Sequence, residues 1–123
     1  MVSFIRVFSD ESGESHFEDL RIPFDEAAFV PPAPPVLMSP TQDATAYSIE
    51  QVHPGWEGDW HPVPTRLLAV YLSGSGEMTS SDGETRELLP GTVLLAEDTT
   101  GRGHQSRVTG TDVMHVLIVQ LPA

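Results

Sequence analysis

Two histidines stand where glycine-rich turns would present them. His61 ends the run Gly55, Trp56, Glu57, Gly58, Asp59, Trp60, and His104 closes Gly101, Arg102, Gly103. Asp98 lies six positions before His104. Imidazoles exchange protons near neutral pH and ligate metals. A carboxylate that reaches one of them orients the ring for acid–base work. The chain has no Cys and, since all six basic residues are Arg, no Lys. Thiolate nucleophiles, disulfides, thiolate metal sites and side-chain Schiff bases are therefore excluded. His61, His104 and Asp98 are the candidate catalytic residues.

A second set would shape a binding site. Trp56 and Trp60 flank His61 and offer flat faces for a planar or sugar-like ligand, or for lid packing. Tyr47, Ile49, Gln51 and His53 fall on one face of a strand by the period of two. Tyr71 shares its parity with Leu67, Ala69 and His61, which points His61 into the fold. Tyr47, Gln51, His53 and Tyr71 are thus expected to line a cavity with the two tryptophans. His53 and His115 alternate with apolar residues and read first as wall histidines; His16 reads as structural. Arg66 falls on the outward parity, to pair with surface acids, and Glu97 should face away from Asp98. For Asp98 itself the competing role is an Asx-turn, its carboxylate capping backbone N–H groups.

The elements that would position these residues are short strands. Val2–Phe8 and His16–Ile22 alternate around a polar turn holding Gly13. Asp25–Phe29 suggests a short helical turn. Val30–Pro35 holds Pro31, Pro32, Pro34 and Pro35, which exclude helix and favour an extended path. From Ala44 strand follows strand: 46–53, 66–72, 76–80, 84–89, 92–97, 104–108 and 113–121, with turns at Asp82–Gly83 and Pro90–Gly91. The segment 66–72 is apolar on both faces, as in a strand buried between two layers. No long helical period and no internal repeat is present. The expected fold class is all-β, a sandwich or barrel.

Composition narrows the partners. The 123 residues suit a single domain. The net charge of −12, with no basic stripe, opposes nucleic acid and anionic membrane surfaces. The scattered carboxylates read as a solvated surface. No stretch approaches a membrane span, the first residues lack a signal-peptide core, and the absence of Cys fits a cytoplasmic location.

On residues 44–121 the chain resembles the cupins, small double-stranded β-helix (jelly-roll) barrels. Gly55, five residues, His61 and the closing Gly74 match the first cupin motif; Gly101 and His104 match the second, with Thr99 in place of its proline and a longer spacing back to Gly91. Trp60–Pro64, Asp98–His104 and Gly13–Asp19 are also similar to elements of small, uncharacterised bacterial cupins. The resemblance implies a metal held by two histidines and a glutamate of the first motif and a histidine of the second. Here Val63 takes the second histidine position and Leu67 or Leu68 the glutamate position, so that set cannot form.

Three functions follow. The first is a cupin that binds a small organic molecule and isomerises, cyclises or eliminates it by His and Asp acid–base chemistry. The second is a metal-dependent cupin, a dioxygenase or metallo-isomerase. It would hold iron, manganese, zinc or nickel on His61 and His104 with a rearranged set recruiting Asp98, His53 or His115. The third is a non-catalytic ligand-binding barrel. The chain divides into residues 1–43, N-terminal strands and a proline-rich arm packing on the barrel or on a partner subunit, and the cupin barrel 44–123. The resemblance also implies a homodimer.

Overall fold

A computed structural model describes residues 2–123. All the regular structure among the described residues is β: β1 (Ser3–Ser9), β2 (Ser15–Asp19), β3 (Asp25–Ala27), β4 (Val36–Met38), β5 (Ala46–Val52), β6 (Leu67–Ser73), β7 (Gly76–Ser80), β8 (Thr85–Leu88), β9 (Thr92–Glu97), β10 (His104–Val108) and β11 (Met114–Gln120). Six strands form one sheet, β2-β1-β9-β6-β11-β5; three form a second, β10-β7-β8; β3 and β4 pair by themselves. No described helix is long and apolar enough to cross a membrane.

Alternation assigns the faces. Ile5 and Val7 in β1, Ala69 and Tyr71 in β6, and Leu94 and Ala96 in β9 are buried. The register aligns them: Ile5 lies opposite Leu94, Val7 opposite Ala96, and Leu94 opposite Ala69. They face Met78 of β7 and Leu88 of β8, also buried, across the interior. Burial of each of the larger ones, Ile5, Val7, Met78, Leu88 and Leu94, contributes about 1.5–3 kcal/mol.

Three expectations are corrected. Asp25–Ala27 is a strand, because Asp25 to Ala27 pairs with Met38 to Val36 and the backbone groups are satisfied across a hairpin. The proline-rich segment is a reversal, closed by Ala33 N–H donating to Val30 C=O at 2.9 Å. The strand β6 is buried on one face only: Ala69 and Tyr71 are enclosed, whereas Leu68 and Val70 remain partly open on the outer face.

β1 and β2 belong to the barrel's own sheet. β1 runs parallel to β9, and β2 returns antiparallel along β1. The turn between them is fastened to the second sheet by His16, whose Nε2 meets Asp10 Oδ2 at 2.7 Å and whose Nδ1 meets Asp82 Oδ2 at 2.9 Å. Donating through both nitrogens requires the imidazolium. The bond to Asp10 and then that to Asp82 raise the His16 pKa above its ordinary value. Asp10 is held well below the carboxylate range, first by His16.

A histidine raised in this way adds stability below its unfolded pKa and loses it as pH climbs through the folded value. The lowered Asp10 contributes above the ordinary carboxylate pKa and loses that as pH falls. The fastening is therefore strongest in mildly acidic solution. The urea midpoint should fall more on His16→Gln at about pH 5.5 than at about pH 9. An equal loss at both would show that the imidazole carries no charge there.

Candidate functional site

The segment between β5 and β6 is irregular, yet it runs antiparallel beside β10. Val108 N–H donates to Trp56 C=O, Gly58 N–H to Ser106 C=O, and Val63 N–H to Asp98 C=O, each at 3.0 Å. Between these rungs His61 and His104 exchange both backbone bonds, also at 3.0 Å. A reciprocal pair puts two side chains on the same side of a ladder. The two rings are 5.0 Å apart, centroid to centroid.

Each ring has one nitrogen pinned. His104 Nδ1–H donates to Asp98 Oδ2 at 2.5 Å, with His104 6% exposed and Asp98 0%. His61 Nδ1–H donates to Asp59 C=O at 2.8 Å. A carbonyl only accepts, so this bond fixes the His61 tautomer. Among the described residues neither Nε2 atom has a hydrogen-bond partner. Asp98 Oδ1 is buried with no hydrogen-bond partner. Leaving such an atom unpaired costs about 1–3 kcal/mol or more.

The turn that carries His104 rests on the β1–β2 turn. Arg102 N–H donates to Gly13 C=O at 3.0 Å, and the buried Ser15 hydroxyl donates to Gly103 C=O at 2.7 Å. Gly103 has φ of +70° and lies against the His61 backbone, so a Cβ there would collide with the His61 carbonyl. The glycine is what lets the two histidine segments touch.

Both histidines open on a cavity of about 640 Å³, within the size range of small-molecule sites. Its walls are mainly apolar, with Val63, Leu67, Ala69, Leu94, Val116 and Ile118 among them, and the charged Glu50 and Arg107 also border it. Tyr71 lines it as well, and burial, followed by the charge of Glu50, pushes its phenol above the ordinary range. Tyr71 is therefore a hydrogen-bond donor there and not a base.

The expected site residues divide in three. His61, His104, His53, Trp56, Gln51 and Tyr71 all border the cavity, with Asp98 directly behind His104. Trp60 does not border it and is half exposed. Tyr47 is misplaced by the expectation: it lies opposite Val119 on the outer face of the sheet and is 78% exposed. Counting by twos from Tyr47 fails because β5 is an edge strand whose final residues turn in at the mouth. Asp98 is no Asx cap, since its one partnered oxygen holds His104.

Of the remaining histidines, His115 bonds Ser73 Oγ at 2.8 Å and Gln51 Nε2 at 3.1 Å, within the sheet. Arg66 and Glu97 pair at 2.7 Å on the outside. Ser106 and Met114 also line the cavity and were not anticipated. Ser106 was legible, because it shares the parity of His104 on β10. The Asp59 carbonyl, which sets the His61 tautomer, has no sequence signal.

Two sheets around one interior, and two histidines brought together by paired glycine-rich turns at its mouth, decide the architecture. The fold is that of a cupin. It is similar to the structure of the Schizosaccharomyces pombe Cnp3 cupin domain, with a TM-score of 0.53 and 12% identity over 98% of this chain and 83% of that one. No protein-family model and no curated protein matches the sequence.

The donor set does not fit the divalent ion of metal-binding cupins. Val63 and Leu67 present hydrocarbon to the cavity, and Leu68 faces outward. Asp98 is committed to His104, and His115 to Ser73 and Gln51. Among the described residues no three His, Asp or Glu side chains converge, whereas a resident divalent ion takes at least three protein ligands.

Gly103→Ala should separate the His61 and His104 segments. Left-handed strain and overpacking together predict a loss of roughly 2–4 kcal/mol in urea unfolding. A variant as stable as the parent would show that the two segments are not in close contact.

Proposed function

We propose that this cupin barrel binds a small, mainly apolar organic molecule and moves protons on it with His104 and His61. The observation that carries this reading is the buried Asp98–His104 bond beside His61 at the mouth of an apolar cavity.

The chemistry follows from the two free Nε2 atoms. One imidazole takes a proton from a carbon next to a carbonyl, and its electron pair moves into the carbonyl system. The other, entering as imidazolium, delivers a proton to a different atom of the same molecule. Charge and atoms balance with no oxidant or reductant, so the reaction class is isomerisation, cyclisation or elimination. Asp98 lies against the ring that becomes cationic and keeps its Nε2 turned to the ligand. Tyr71 is available to donate to an oxygen. The apolar walls exclude water and strengthen each polar contact inside.

The same features describe the ligand. A volume of about 640 Å³ accommodates a molecule of modest size. Trp56 at the mouth offers a face for a planar group. A chain of net charge −12 disfavours polyanions, so a neutral ketone, lactone or phenol-like molecule fits better than a phosphate ester.

The test is carbon–hydrogen exchange. Incubation in D₂O with a panel of small cyclic ketones, lactones and enones, followed by proton NMR, should show loss of α-hydrogen signal for the compounds that bind. His104→Gln should slow exchange by about 10²–10⁴-fold. Asp98→Asn should lower the rate while ligands still shift the Met78 and Met114 methyl signals. Binding without exchange would reduce the protein to a non-catalytic binder, and ligand shifts outside the cavity would overturn the site.

A further inference from the structure

We infer, given the cavity as the ligand site, that Glu50 selects what enters it: its carboxylate accepts from a hydroxyl on a rigid ketone whose carbonyl meets Tyr71. The substrate class is thus a cyclic or aryl ketone with a hydroxyl at the far end of its ring system. Glu50 takes no proton in this role; it holds one end of the molecule.

Register places Glu50 on the inner face of the sheet. It lies opposite Val116 of β11, which in turn lies opposite Tyr71 of β6. Cross-strand partners share a face, and Val116 and Tyr71 both belong to the buried core. Glu50 is therefore the third member of an inward row, two strand spacings from Tyr71, or roughly 9–10 Å across the sheet. Both residues border the cavity. The negative charge of Glu50 reaches the Tyr71 phenol, where it adds to burial in keeping the proton on the oxygen.

The Glu50 carboxylate is also unclaimed. Arg107, the other charged residue bordering the cavity, donates its Nε–H to Glu77 Oε1 at 2.7 Å. Gln51 Nε2 meets His115 at 3.1 Å. Glu50 makes no hydrogen bond or ion pair among the described residues, and it is exposed on the edge strand β5. A ligand seated against it displaces water, and a carboxylate only accepts. Hydrocarbon over it would forfeit that hydration without return, so the covering group must be a donor. A hydroxyl suits the mainly apolar lining better than an ammonium, because stripping water from an ion costs far more than stripping it from an alcohol.

Two anchors of opposite kind describe a molecule with two polar ends. Tyr71, neutral through burial, donates to an oxygen at one end. Glu50 accepts from a hydroxyl at the other. Since the anchors stand two strands apart, the ends lie across a ring rather than on adjacent carbons. Val116, between them in the row, gives the ring an apolar surface, and Trp56 borders the same space. The carbons next to the carbonyl carry the hydrogens that His104 or His61 removes. The hydroxyl end lies at β5, away from that exchange, so selection and proton transfer are separable by mutation.

A matched set of three rigid ketones tests this: tetralone, the derivative with a hydroxyl para to the carbonyl, and the methyl ether of that derivative. Each is titrated into the full chain, with the methyl signals of Met78 and Met114, which both line the cavity, reporting occupancy. The hydroxyl compound should bind about 10–100-fold tighter than the other two. In Glu50→Leu that preference should vanish, with unsubstituted tetralone bound as well as before. Glu50→Gln, which keeps a neutral acceptor, should lower the preference. Tyr71→Phe should weaken all three compounds alike and keep it. Equal affinities in the unmutated chain, or a preference that survives both Glu50 changes, would overturn the role of Glu50. Hydrogen exchange of the bound ketones in D₂O would in that case still uphold the proton transfer. If no compound moves either methyl signal, both the role of Glu50 and the cavity as ligand site are overturned.

Discussion

The site depends on one bond, from His104 Nδ1–H to Asp98 Oδ2. It lies where water does not reach, between the end of β9 and the start of β10. A carboxylate in that place is stabilised only by its partner, and one of its oxygens has none. The surrounding structure serves to keep the pair assembled. The β1–β2 turn props the Gly101–Gly103 backbone from below, and the 56–63 segment clamps it from above. His61 comes into range of His104 as part of that clamp. The backbone pairing that stabilises the turn is also what sets the distance between the rings.

The apolar side chains at Val63 and Leu67 give the site its character. Carboxylate or imidazole there would invite a cation and water. Hydrocarbon instead continues the wall formed by Ala69, Leu94 and Val116. The result is a mainly apolar chamber whose polar groups are the two imidazoles, Tyr71 and the side chains of Glu50, Gln51, His53, Ser106 and Arg107. Such a chamber orients a ligand by exclusion: its apolar body goes inward, and its polar end remains at the mouth. Tyr71, neutral through burial, lines the chamber as a hydrogen-bond donor.

Much of this was legible in the residues, and the reasons are specific. Strands such as β7, β9 and β10 were bounded by strong turn residues, and their limits follow the sequence to the residue. His61, His104 and Asp98 could be singled out because glycines framed them. The outward placement of Arg66 and Glu97 followed from parity. What could not be read was long-range. The pairing of the Gly13 turn with the Gly101–Gly103 turn, and of the His61 backbone with that of His104, joins distant segments through backbone atoms that carry no residue-type signal. Tyr47 stays on the outer face while Gln51 and His53, of the same parity, reach the cavity, because the end of the edge strand β5 turns in at the mouth, which alternation alone does not show. The helical turn expected at Asp25–Phe29 gave way to a hairpin, since Val36–Met38 supplied a partner strand that local propensity could not anticipate.

The most direct measurement is the tautomeric state of the two imidazoles, read from long-range proton–nitrogen correlation spectra at alkaline pH. Pinned Nδ1–H groups on both His61 and His104 predict that each ring is neutral with its proton on Nδ1 and a bare Nε2. In Asp98→Asn, His104 alone should lose that preference. A His104 ring protonated on Nε2 in the parent would contradict the account, because the nitrogen meant to take a proton from the ligand would already hold one.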